Sequence, residues 1–201
     1  MARIRSVGGS RTIAGLELTG RDRAALLALA RATLEAQLAA RPLPLVPMVP
    51  GATVKRGAFV TLTERGALRG CIGHIPDDRP LGAVVQEMAV AAARDDPRFA
   101  PVEPDELPFL VVEISVLSTP APLPAPVDPS AIVIGRDGLI VQRERHIGLL
   151  LPQVATEYDW EPEAFLAAAC RKARLPPTAW QEPGTEVFVF QADVFRETDN
   201  E

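Results

Sequence analysis

Two proline-dense stretches limit what this chain can become. Pro42 to Pro50 holds four prolines in nine residues, and Pro120 to Pro129 forms a second such run. Proline lacks a backbone N–H and pushes the residue before it toward extended geometry, so neither stretch can lie inside a helix or a central strand. Both read as crossings over the surface, and regular elements must form in the segments they separate.

Before the first run, Leu27, Ala30, Leu34 and Leu38 recur at helical spacing, and Thr19 followed by Asp22 offers an N-terminal cap. The spacing predicts a helix over about 20–40. From Gly57 the period changes to two: Ala58, Val60 and Leu62 alternate with Phe59, Thr61 and Thr63, and Glu64-Arg65-Gly66-Ala67 can reverse the chain. This predicts a hairpin whose second strand runs through Leu68-Arg69-Gly70-Cys71-Ile72-Gly73-His74. Leu81, Val84, Val85, Met88 and Ala92 predict a second helix over about 80–94, and Pro97 leaves Asp95 to Phe99 on a loop.

Leu107 to Ser118 reads as a central strand, apolar on both faces except for Glu113. After the second proline run, Ile132-Val133-Ile134 and Leu139-Ile140-Val141 read as a hairpin about Gly135-Arg136-Asp137-Gly138. A short strand over His146 to Leu151, a helical start near Pro152, a third helix from Pro162 and a last strand from Val187 to Phe195 complete the expected elements. Paired strands and separated helices, without strict alternation, argue for an α+β fold with a largely antiparallel sheet. The chain reads as one domain over 1–201. The second proline run, over 119–130, is the natural boundary between two lobes, which could still share one sheet.

The net charge of -5, from 26 acidic and 21 basic residues interspersed, supplies no basic stripe, which disfavours nucleic acid as a partner. Arg, Glu or Pro interrupts every apolar run, so no membrane span is expected. Arg3, Arg5, Arg11 and Arg21 are spread through polar sequence rather than heading an apolar signal segment. With two cysteines in unlike contexts, the expectation is a cytoplasmic protein with reduced thiols.

Five blocks occur in order: Leu68-Arg69-Gly70-Cys71-Ile72-Gly73; Asp96-Pro97-Arg98-Phe99; Glu113-Ile114-Ser115-Val116-Leu117; Gly138-Leu139-Ile140; and Leu151-Pro152-Gln153-Val154, followed by Trp160, Phe165, Cys170 and Lys172. In these the chain resembles the AMMECR domain family, over about 57–196, with the LRGCIG run as the hallmark. It is most similar to that family's bacterial and archaeal AmmeMemoRadiSam group. The resemblance implies two closely associated lobes with a cleft near the LRGCIG strand. It also implies a pathway shared with Memo-like and radical S-adenosylmethionine proteins, and it carries no settled activity.

The chemistry centres on Cys71. Gly70 and Gly73 permit close backbone approach or a bulge, as a pocket wall requires; they equally permit a kinked strand with Cys71 as a small buried side chain. Arg69 and His74 nearby would favour a thiolate nucleophile. Strand alternation sets Cys71 and His74 on opposite faces unless Gly73 bends the chain. Asp96 and Arg98 on their loop, with Arg69 and Glu113 on strands, form either a set of ion pairs or a substrate grip. In the second reading an arginine fork holds a carboxylate or phosphate and Glu113 acts as general acid or base. Gln153 and Glu157, four apart, would share one helical face. Cys71, His74, His146 and Cys170 lack zinc spacing, so neither a metal nor another cofactor is expected, and Cys170 reads as core.

Two functions stay open. In one, Cys71 with Glu113 and His74 transforms a small anionic metabolite bound by Arg69, Gly70, Gly73, Asp96, Arg98 and Gln153. In the other, the protein is a non-catalytic adaptor that holds a ligand or peptide for its pathway neighbours.

Overall fold

A computed structural model describes residues 18–197; the N-terminal arginines Arg3, Arg5 and Arg11 lie outside the described residues. In chain order the elements are α1 (Gly20–Leu38), α2 (Pro50–Thr53), β1 (Ala58–Glu64), β2 (Ala67–His74), α3 (Leu81–Arg94), β3 (Leu110–Leu117), β4 (Ala121–Pro122), β5 (Gly138–Arg143), β6 (His146–Leu150), α4 (Pro152–Glu157), α5 (Pro162–Lys172), β7 (Glu186–Phe190) and β8 (Ala192–Arg196). The chain divides into two compact units, one of 18–117 with 193–197 and the other of Ser118–Ala192.

In the first unit a four-stranded sheet has the order β2-β1-β3-β8, with β1 antiparallel to both neighbours. The alternation in β1 places Ala58, Val60 and Leu62 on a fully buried face, where Val112, Ile114 and Val116 of β3 join them. Leu26, Ala30 and Leu34 of α1 and Val84, Val85 and Met88 of α3 close the same core. Thr19 caps α1 reciprocally: its hydroxyl accepts from Asp22 N at 3.2 Å, and its own N–H donates to the Asp22 carboxylate at 3.0 Å. The other Asp22 oxygen accepts from Gly51 N at 2.9 Å and ties α2 to the start of α1. Between them the first proline run is irregular, as expected, with Val46 and Val49 turned to the core.

The second unit has its own sheet, of order β4-β7-β5-β6, with every neighbouring pair antiparallel. Its core gathers Leu139, Val141, Phe165, Leu166, Ala169, Cys170 and Val187. The α+β expectation with antiparallel pairing therefore holds, but as two sheets rather than one that spans the chain.

Two further expectations are corrected. Ile132–Ile134 is not a strand: Asp128 caps a 3-10 turn at Pro129–Ala131, and the buried Asp137 carboxylate accepts from Val133 N at 2.9 Å, folding the segment into a loop. The hairpin is instead formed by β5 and β6 about Glu144 and Arg145. The final strand breaks at Gln191, whose carbonyl accepts from Ser118 N and whose N–H donates to Ser118 Oγ, so that β7 and β8 enter different sheets. Among the described residues no helix is long and apolar enough to cross a membrane.

Candidate functional site

The hairpin of β1 and β2 closes at Arg65-Gly66, both at positive φ, and pairs Glu64 with Ala67 and Thr63 with Leu68. The next pair is Leu62 with Gly70, so Arg69 is an extra residue, a β-bulge. Beyond the bulge Cys71 stands opposite Thr61, and Thr61 stands opposite Glu113 of β3. Directly opposed residues of an antiparallel sheet share a face, so thiol, hydroxyl and carboxylate form one row across three strands. Two inter-strand steps separate Cys71 from Glu113 by about 10 Å. One step along the same face lies the row Gly73, Phe59 and Ser115. The helices α1 and α3 pack on the opposite face.

The glycines play distinct parts. A methyl group built on Gly70 would overlap the carbonyl oxygen of Ala92 in α3, so Gly70 lets helix and strand meet and does not face the Cys71 side. A methyl group on Gly73 would enter the Phe59 ring, which lies over that glycine. Gly70, expected among the substrate-binding residues, turns the position of its missing side chain toward α3.

β2 is an edge strand, and a side-chain pair blunts its free side beside Cys71. Cys71 N donates to Asp96 Oδ2 at 2.9 Å, and Arg98 Nη2 reaches the Cys71 carbonyl at 3.5 Å. Asp96 is 4% exposed and also receives Arg98 Nε at 2.9 Å, Arg98 Nη2 at 2.6 Å and Arg98 N at 3.1 Å. The Arg98 guanidinium first, then the backbone donors, hold its carboxyl well below the usual carboxylate range against the opposing effect of burial. Asp96 therefore positions the Cys71 backbone and has no lone pair to spare for a ligand. Arg98 lies over the Phe99 ring and keeps 53% of its side chain exposed.

Arg69 is committed elsewhere. Its fork grips Glu106 at 2.6 and 2.9 Å and donates to the carbonyls of Ala100 and Pro101. The Arg69 partnership lowers the Glu106 carboxyl below its ordinary value. An Arg69 fork free for an anion is thus not present.

His74 pairs with Ala58 on the helix-packed face, and its Nε2 meets Asp78 Oδ1 at 2.7 Å. The register runs through Gly73 without a second bulge, so no bend brings His74 round to Cys71. Glu113 is half-buried and, among the described residues, has no hydrogen bond or ion pair, so of the two alternatives the ion pair is not formed at this residue. Its neighbour on β8 is Arg196, set opposite by the Glu197 N to Val112 O bond and exposed. Gln153 lies half-buried on α4 in the second unit, and Cys170 is fully buried in that unit's core, where burial pushes its thiol up.

Sequence reasoning passed over two residues. Thr61 Oγ1 donates to Cys71 Sγ at 3.3 Å. Ser115 is 1% exposed, and among the described residues its Oγ has no hydrogen-bond partner. The alternation of β3 would have set Ser115 beside Glu113; the Thr61 contact depends on the bulge. Elsewhere on this unit a groove of about 890 Å³ is lined by Leu27, Arg31, Phe109 and Glu197, among others, and none of Cys71, Thr61, Glu113 or Asp96 lines it. Among the described residues no group of three or more His, Cys, Asp or Glu is placed to hold a metal ion.

A family model described as AMMECR1 matches residues 27–195. A protein of Methanothermobacter thermautotrophicus is 52% identical over 146 residues, 71% of this chain and 76% of that protein. Protein Mbar_A1807 of Methanosarcina barkeri is 44% identical over 187 residues, 90% of this chain and 92% of that one. The crystal structure of the uncharacterized protein PH0010 from Pyrococcus horikoshii superposes with a TM-score of 0.84 at 41% identity, covering 90% of this chain and 93% of that chain.

Proposed function

The chain belongs to the AMMECR1 family, and from that premise we propose that the Cys71 face binds a small metabolite with Cys71 Sγ as its reactive group. The row of Cys71, Thr61 and Glu113 carries the reading. It gathers a nucleophile, a hydroxyl and a carboxylate unpaired among the described residues on the face away from the helices. The buried, unpartnered Ser115 hydroxyl one step along is a group that a ligand's polar atom would satisfy. Glu113 takes the acid or base role and Arg98, through its exposed edge, attracts an anionic substituent. His74 and Arg69 drop out of the expected constellation, since each is bonded away from the sulfur. The pathway setting beside Memo-like and radical S-adenosylmethionine proteins belongs to the proposal through the AmmeMemoRadiSam resemblance, and co-purification with those two proteins tests it.

Iodoacetamide labelling tests the site. Cys170 is fully buried, so labelling of the native protein should fall on Cys71 and vanish in Cys71→Ala. Native mass spectrometry of the freshly purified protein should then show either a covalent adduct that blocks Cys71 alkylation or a noncovalent complex that alkylation displaces. If Cys71 labels only after unfolding, the reactive-thiol reading is lost.

The absence of a histidine from the Cys71 rows favours a second reading, a binder without catalysis. In that case Cys71→Ala would retain the ligand with undiminished affinity, whereas a covalent role requires that the alanine variant lose the adduct.

A further inference from the structure

We infer that Thr61 is the positioning residue that prepares Cys71 for reaction, a part that sequence reasoning gave to Arg69 and His74. This inference rests on the reactive-thiol reading above. Thr61 and Cys71 are directly opposed across β1 and β2, and Thr61 Oγ1 lies 3.3 Å from Cys71 Sγ. Among the described residues the hydroxyl makes no other hydrogen bond, so its proton is aimed at the sulfur. When Cys71 ionises, its proton leaves to solvent and Thr61 keeps its own. The sulfur then has no hydrogen to give, and the hydroxyl can act only as donor to the anion.

Among the described residues no other group donates a hydrogen bond to the sulfur. His74 is on the other face and bonded to Asp78, and Arg69 is held by Glu106 and two carbonyls. Arg98 closes its fork on Asp96, touches the Cys71 carbonyl and lies within electrostatic reach of the Cys71 thiol, but it donates no hydrogen bond to the sulfur. Asp96 fixes the Cys71 N–H, which holds the strand in register and the sulfur toward Thr61. Ser115, one step along the same face, is buried, and among the described residues its hydroxyl has no hydrogen-bond partner.

The experiment compares Thr61→Val, which keeps the branched shape and removes the donor, with Thr61→Ser, which keeps the donor. Each is read by the rate of Cys71 alkylation with iodoacetamide at neutral pH and by the ultraviolet absorbance of the thiolate, with Cys71→Ala as the blank. Thr61→Val should slow alkylation about tenfold and diminish the thiolate signal, as loss of one hydrogen bond to a charged acceptor implies, while Thr61→Ser stays within about twofold of the parent. Thr61→Ala is a second donor-free variant should the valine disturb folding, and thermal unfolding monitors both. Equal rates in parent and Thr61→Val overturn the inference; so does a serine variant as slow as the valine, which would make the effect one of packing. If the parent's Cys71 does not alkylate in the folded protein, the reactive-thiol reading fails and this one falls with it.

Discussion

Gly70 and Gly73 face opposite ways from one strand, and their alanine variants should separate in stability. The methyl group of Gly70→Ala would meet a backbone carbonyl of α3, which cannot turn aside without moving the helix. That of Gly73→Ala would meet the Phe59 ring, a side chain that can rotate. Urea unfolding should show a loss of about 3 kcal/mol for Gly70→Ala and about 1 kcal/mol for Gly73→Ala, the two ends of the overpacking range. Equal losses would mean that the ring is as immobile as the helix. The same stretch shows where reading the sequence stops. With its turn at Arg65-Gly66, an unbroken hairpin would set Cys71 opposite Val60, on the core face. The bulge at Arg69 sets it opposite Thr61 instead. Whether a residue bulges depends on what its side chain gains away from the ladder. Here the gain is a fork closed on Glu106 and two loop carbonyls, contacts some thirty residues distant that no local pattern announces.

At the scale of elements, Arg69 joins β2 to the loop before β3. Glu106, which it holds, also accepts from Glu103 N at 2.7 Å, so one side chain organises that loop from both sides. Arg69→Lys keeps the charge but replaces a planar fork by a point donor that cannot serve Glu106, Ala100 and Pro101 together. The expected outcome is a loss of about 1–2 kcal/mol, with the amide of Glu103 exchanging faster with deuterium while the β1 amides keep their protection. Unchanged exchange at Glu103 would show that the loop stands without the fork. Most elements could be read because local signals agreed with tertiary need: the Thr19 cap, the period of two in β1, the helical period of α3, and the prolines that bound the connections. The exceptions are places where distant contacts decide. Ile132–Ile134 has strand composition, yet Asp137 folds it into a loop. Val187 to Phe195 reads as one strand, yet Ser118 occupies both backbone groups of Gln191 and divides it between two sheets.

For the molecule as a whole, the anchored carboxylates set the response to acid. Asp22, Asp96 and Glu106 are each held below their ordinary values, by the Thr19 hydroxyl, the Arg98 guanidinium and the Arg69 guanidinium respectively. A carboxyl whose folded value is depressed contributes stability that is fully present above its unfolded value of about 4 and is lost as pH falls through the folded value. In that window the unfolded chain binds more protons than the native one, so stability rises with pH. These groups therefore leave the unfolding midpoint flat from neutral pH down to about 5 and then bring a decline that steepens below about 4. Asp96 tests the sign by itself. Asp96→Asn still accepts from Cys71 N but cannot pair with Arg98 or titrate. At neutral pH the variant should be less stable by about 1–3 kcal/mol, below the cost of breaking a fully buried pair because the Arg98 side chain is half exposed. Toward acid pH the gap should narrow, since the parent loses what the variant never had, by up to about 1.4 kcal/mol for each pH unit between the unfolded and folded values. Parallel stability curves across that range would mean that Asp96 is anchored no more firmly in the native protein than in the unfolded chain, and the account of how β2 is held beside Cys71 would have to be withdrawn.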